Sequence, residues 1–118
     1  MQETIEIPSK NWPEFFDDFT KRHETDMVSL EVMGPEIGAQ VEGRTLLFGG
    51  ISIADAPGKA LALMFDSVDG EHLSHTVEKP THVWLQSTPA SGDQTLEIES
   101  ADGGKTLVRF STEEDVIA

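Results

Sequence analysis

The chain of 118 residues contains no cysteine. It can form no disulfide, present no thiolate nucleophile and build no cysteine-based zinc or iron–sulfur site. Long apolar runs are also missing. The longest, Ala60 to Phe65, is far too short to span a bilayer. Met1 to Lys10 alternates acids and isoleucines, with neither a basic n-region nor an apolar h-region, so no signal peptide is visible. A cytoplasmic protein is the expectation. Basic residues are scarce: 8 Lys and Arg stand against 22 Asp and Glu, a net charge of −14. Such a surface repels phosphate backbones and anionic lipid, which argues against nucleic acid and membrane as partners. It favours a basic protein partner or divalent cations. The plainer reading is solubility or a salty cytoplasm, because the acids are spread along the whole chain.

What is present is alternation. Between Met27 and Phe110 apolar and polar residues alternate repeatedly, with turn residues between the runs. A period of two marks half-buried β-strands. Ahead of them one helix is predicted. Asn11 can cap it, Glu14 completes a capping box, and Pro13 fits the first turn. Trp12, Phe15, Phe16 and Phe19 form one apolar stripe. Lys21, Arg22 and His23 sit in the last turn, where cations suit the helix dipole. Thr4 to Ile7 reads as a short edge strand.

Met27–Met33 and Ile37–Gly43 read as a hairpin. Pro35 cannot take positive φ, so a loop from Gly34 to Ile37 is expected, setting Leu30 opposite Val41 and Glu31 opposite Gln40. Thr45 to Ile53 is a strand whose Gly49-Gly50 suggests a bulge. Asp55 to Gly58 is a turn. Ala60 to Phe65 follows, with Leu61, Leu63 and Phe65 on one face, and Ser67 to Gly70 turns the chain again. His72–Val77 and Thr81–Ser87 are strands joined through Glu78-Lys79-Pro80. The last hairpin, Thr95–Glu99 with Thr106–Phe110, turns at Asp102-Gly103-Gly104. It is expected to pair Ile98 with Val108, Leu96 with Phe110 and Glu97 with Arg109.

One helix and roughly six to eight short strands give an α+β, mainly β, fold. A small, highly curved antiparallel barrel leads. An open antiparallel sheet with the helix packed across one face is the alternative. Residues 1–110 form the domain and 111–118 an acidic tail without fixed structure.

The search for chemistry gives little. Pro57-Gly58-Lys59-Ala60 is superficially like a P-loop. However, Ile53 stands where its first glycine should be, and Ala60 replaces the Mg²⁺-binding hydroxyl. His72 and His75 are separated by an odd step on a strand and so fall on opposite faces, which argues against a metal site. No cofactor or metal is expected. His75 shares a face with Leu73 and Val77. The plain reading is a buried histidine bonded to backbone, and the functional one is a lone acid–base or pH-sensing group at a barrel mouth. His82 and Trp84 alternate with Val83 and Leu85. With Val83 and Leu85 in the core, His82 and Trp84 lie outside and mark a contact surface. Cover by the helix or by a second subunit is the plainer account. Glu31, Glu42, Glu97 and Glu99 fall on outer faces, where solvated carboxylates are ordinary. No nucleophile elbow occurs, and no catalytic residue is assigned.

Three strings carry a resemblance: Trp12-Pro13-x-Phe15-Phe16-x-x-Phe19-x-x-x-His23, Gly34-Pro35-x-Ile37-Gly38-Ala39-Gln40-Val41-Glu42 and Leu96-Glu97-Ile98-Glu99-Ser100-Ala101-Asp102-Gly103. From about Ile5 to Phe110 the chain resembles a bacterial family of small acidic proteins catalogued as a domain of unknown function (DUF 5335). The resemblance implies a bacterial cytoplasmic protein of this size and carries over no activity.

The reading that follows is a non-enzymatic binding or assembly module, a homodimer acting through an exposed β-sheet surface. Its candidate residues are His75, His82 and Trp84, and apolar Leu107 is expected on the same outer side. The alternative is a small enzyme or ligand-binding protein with a site at the barrel mouth using His75.

Overall fold

The aromatic spacing near the N-terminus forms the helix it predicts. A computed structural model describes residues 3–34, 38–55, 60–88 and 92–110, with the backbone alone for 38–45, 54 and 55. In it α1 runs Trp12–His23 and buries Trp12, Phe16 and Phe19. Phe15 is half-buried against the same core. Pro13 sits in the first turn as expected. Asn11 does not cap. It ends a 3₁₀ turn, Ser9–Asn11, at φ −98 and ψ −1, and its side chain makes no capping bond. A capping residue needs an extended backbone, which the 3₁₀ turn denies it.

Among the described residues eight antiparallel strands form one sheet: β1 Glu3–Glu6, β2 Met27–Gly34, β3 Gly38–Asp55, β4 Ala60–Ser67, β5 His72–Glu78, β6 Pro80–Thr88, β7 Asp93–Ser100 and β8 Lys105–Phe110. Their spatial order is β1-β6-β7-β8-β2-β3-β4-β5. The expected edge strand is present, paired with β6 through Ile5↔Leu85. The leading expectation of a closed barrel is overturned in favour of the open sheet with the helix across it. Among the described residues no ladder joins β5 to β1 or β6. The sheet is nevertheless strongly curled. Only Lys79, at φ 51, separates β5 from β6. Six strand spacings lie between those two strands in the order, roughly 29 Å if the sheet were flat.

Two registers differ from expectation. In the last hairpin Leu96 pairs with Val108, Ile98 with Thr106 and Glu97 with Leu107. The turn closes one residue earlier, around Asp102. Its carboxylate accepts from the Gly104 N–H at 2.8 Å and from the Ser100 hydroxyl at 2.7 Å. The shift is by an even number, so the faces survive: Leu96, Ile98, Val108 and Phe110 are all buried. In the first hairpin Gly34 pairs with Gly38, and Val41 stands opposite Glu31 rather than Leu30. Register shifts on both sides of Leu30 absorb the odd step. The loop residues 35–37 and the turn at 56–59, which holds the P-loop look-alike, lie outside the described residues, as does the tail 111–118.

The glycine pair bulges as predicted, between Phe48 and Gly50 in the ladder with β4. Gly50 has φ +147, and a Cβ there would come within 3.1 Å of Thr20 Cγ2. The Thr20 hydroxyl accepts from the Ile51 N–H at 3.1 Å, tying α1 to the bulge. The core lies between α1 and one face of the curled sheet. Phe19 meets Phe110 edge-on at 5.2 Å, and Phe48 meets Phe110 at 5.2 Å and Phe65 at 6.1 Å. Leu61, Leu63, Val83, Leu96, Ile98 and Val108 complete it.

Candidate functional site

The face of the sheet turned away from α1 carries the residues singled out by alternation. Val83 is buried in the core, so its neighbours on β6, His82 and Trp84, point outward. The two rings stack at 5.1 Å and 16°. His82 Nδ1 lies 2.7 Å from the Glu6 carboxylate, which β1 brings alongside through the pairing Glu6↔Trp84. Trp84 is half-buried, and α1 is not what covers it, because the helix packs on the opposite face. Sequence reasoning placed Glu6 on an edge strand but could not find its partner, which is 76 positions away.

Next to Trp84 the outer face becomes ionic. Glu97 on β7 accepts from Gln86 at 3.2 Å and pairs with Lys105 at 3.5 Å. The Arg109 guanidinium bonds Glu31 on β2 rather than the Glu97 expected for it. Leu107 lies on this face as predicted, opposite Glu97 and Glu31. It is only 7% exposed. Glu99 stands opposite Lys105 and is half-buried. The Glu42 side chain is outside the described residues.

His75 lies elsewhere. It is half-buried on the inner side of edge strand β5, in phase with the buried Val77. Its Nε2 is 3.3 Å from the hydroxyl of Thr106 on β8. Thr106 is the buried polar residue of the core, 3% exposed. The alternation implied its inward position through Val108 and Phe110, but not its contact with β5. Together they back a cleft of about 340 Å³, also lined by Glu78, Ser100, Asp102 and Lys105. Hydrogen bonds from Ser100 and from the Gly104 N–H hold the Asp102 carboxyl below its ordinary value.

His72 is on the other side of β5 and exposed, 2.5 Å from Asp66. The odd spacing therefore separates the two histidines, as predicted. Among the described residues no three His, Asp or Glu side chains stand close enough to hold a metal ion. No buried side-chain nitrogen or oxygen among them lacks a hydrogen-bond partner. No helix among them is long and apolar enough to cross a membrane.

One comparison decides the family. A protein-family model described as a family of unknown function (DUF5335) matches residues 3–117. The chain belongs to this family. No curated protein and no solved structure matches it significantly. The stripe of α1 and the Leu96–Gly103 segment that carried the resemblance are, respectively, the helix that covers the core and the strand that runs into the Asp102 turn.

Proposed function

We propose that the protein is a non-enzymatic binding module that works as a homodimer through the outer face of its sheet. A bacterial cytoplasmic setting belongs to this reading and rests on the family resemblance. The observation that carries it is the His82–Trp84 stack, set on the face that the helix leaves uncovered. Half-buried aromatic side chains are typical anchors of protein contacts. The same face mixes Lys105 and Arg109 with Glu6, Glu31 and Glu97, in a chain of net charge −14. A twofold pairing of such a face sets its cations against its acids. Sedimentation at high micromolar concentration tests this: a dimer is expected, and Trp84→Glu should dissociate it while each subunit stays folded. A strictly monomeric mass would overturn the reading.

A second reading is supported by the His75–Thr106 contact at the back of the 340 Å³ cleft, which Ser100 and Asp102 also line. There the protein binds a small polar molecule. NMR titration with a panel of small acids and amines tests it. Shifts confined to His75, Thr106 and Ser100 would replace the first reading.

A further inference from the structure

A third surface lies on the helix side of the molecule, beside β1. A cleft of about 670 Å³ opens between β1 and α1. Its floor is apolar. Ile5 is 57% exposed there, next to half-buried Ile7 and Phe15. Its wall is the polar side of α1, with Glu14, Asp17 and Asp18 set against Lys21. Lys21 is held to Asp17 at 3.3 Å and Arg22 to Asp18 at 3.1 Å, both exposed i,i+4 pairs readily exchanged for other cations, and Glu14 stands beside them.

Among the described residues β1 is also a sheet edge, paired on one side only. The Ile7 N–H donates to Val83 at 2.8 Å, and Ile5 stands directly opposite Leu85. Antiparallel ladders alternate, so Ile5 and Ile7 turn their N–H and C=O toward β6. Thr4 and Glu6 turn theirs away from the sheet. No lysine, proline or bulge blunts β1 over Glu3–Glu6. β1 is guarded by its four-residue length and by Glu3 and Glu6, charges that repel an acidic strand and admit a basic one, while Ile5 stays exposed between them.

We propose that the β1 edge and its cleft bind an extended basic segment of another protein by strand addition. The segment bonds to the outward N–H and C=O groups of Thr4 and Glu6. Alternate side chains of an added strand all face the cleft. The central one is apolar and rests on Ile5 and Phe15. Those two positions either side are lysine or arginine and reach Glu14, Asp17 and Asp18. Charge selects this occupant. The acids of the cleft wall and of β1 favour a cationic strand, and nucleic acid and anionic membrane are repelled by the net charge of −14. The proposal goes beyond the outer-face reading and does not depend on it, since Trp84 points to the other side of the sheet.

The test uses two fluorescent peptides on the full chain, of sequence Thr-Lys-Thr-Val-Thr-Lys-Thr and the same with glutamate for lysine. Anisotropy at low salt should show the lysine peptide binding at least about tenfold more tightly, with NMR shifts at the Thr4 and Glu6 amides. Thr4→Pro removes one outward N–H and leaves the β1–β6 ladder intact, so it should weaken binding by about tenfold. Asp18→Lys, on the exposed helix surface, should weaken it without touching the strand. Trp84→Glu should leave it unchanged. Equal binding of the two peptides, no binding of the lysine peptide at millimolar concentration, or full binding by Thr4→Pro with shifts only on α1 would each overturn the proposal.

Discussion

Val83 and Trp84 are neighbours on β6 and meet opposite surroundings. Val83 is fully buried in a core of aliphatic and aromatic side chains sealed by α1. Trp84 lies half-buried against His82, in a face whose other contacts are Glu97 with Lys105 and Arg109 with Glu31. The stabilisation from apolar burial is roughly proportional to area, and a close-packed core feels any change of volume. The outer pairs are half-exposed and worth little each. One sheet therefore divides its labour: the inner face holds the fold, and the outer face is free to vary in chemistry. This is the physical reason for placing the proposed contact surface outside.

The sharpest way to break that comparison is at Phe19. Its ring is fully buried and meets Phe15, Phe48, Phe110 and His23. Phe19→Ala should cost about 3–5 kcal/mol, read by urea denaturation. A loss under about 1 kcal/mol would mean that the helix does not seal the core, and the contrast between faces would fail.

A paired measurement on β7 sharpens it further. Ile98 is fully buried, and Glu97, the next residue, is half-buried on the other face. Ile98→Ala should cost about 2–5 kcal/mol and Glu97→Ala about 0–1. In a double-mutant cycle Glu97 should couple to Lys105 and not to Arg109, because the register sets Arg109 opposite Thr95. Coupling to Arg109 would restore the other register.

The same division explains what could be read from the sequence. Faces were legible because their signal is local: Leu61, Leu63 and Phe65, or Leu96 and Ile98, need only their own alternation to be placed inward. The bulge at Gly49-Gly50 was legible for the same reason, since glycine's freedom marks it. Registers were not. A turn closing at Asp102 instead of Gly103 moves every pair in the last hairpin, and the hydrogen bonds of the Asp102 side chain that accompany it are not written in the alternation. Closure was not legible either, because whether β5 meets β1 depends on the direction taken at Lys79. Among the candidate site residues, His82 and Trp84 were found by phase alone. Their partner Glu6, and the contact of His75 with Thr106, join distant parts of the chain, where a single sequence carries no signal.

Asp102 gives the smallest effect and isolates the turn from both faces. Its carboxyl is held below the ordinary value of 3.8, first by the Ser100 hydroxyl and then by the Gly104 N–H. A carboxyl whose folded value is depressed adds stability that is fully present above the unfolded value. That stability is lost as pH falls through the folded one. The contribution therefore holds at neutral pH and drains below about pH 4. Asn at this position keeps an acceptor for the same N–H but cannot titrate. Asp102→Asn should lower the neutral melting temperature slightly and flatten the fall of stability as the pH drops below about 4. An unchanged acid limb would show that the charge contributes nothing to the turn. The register of β7 with β8 would then have to be set by the ladder itself.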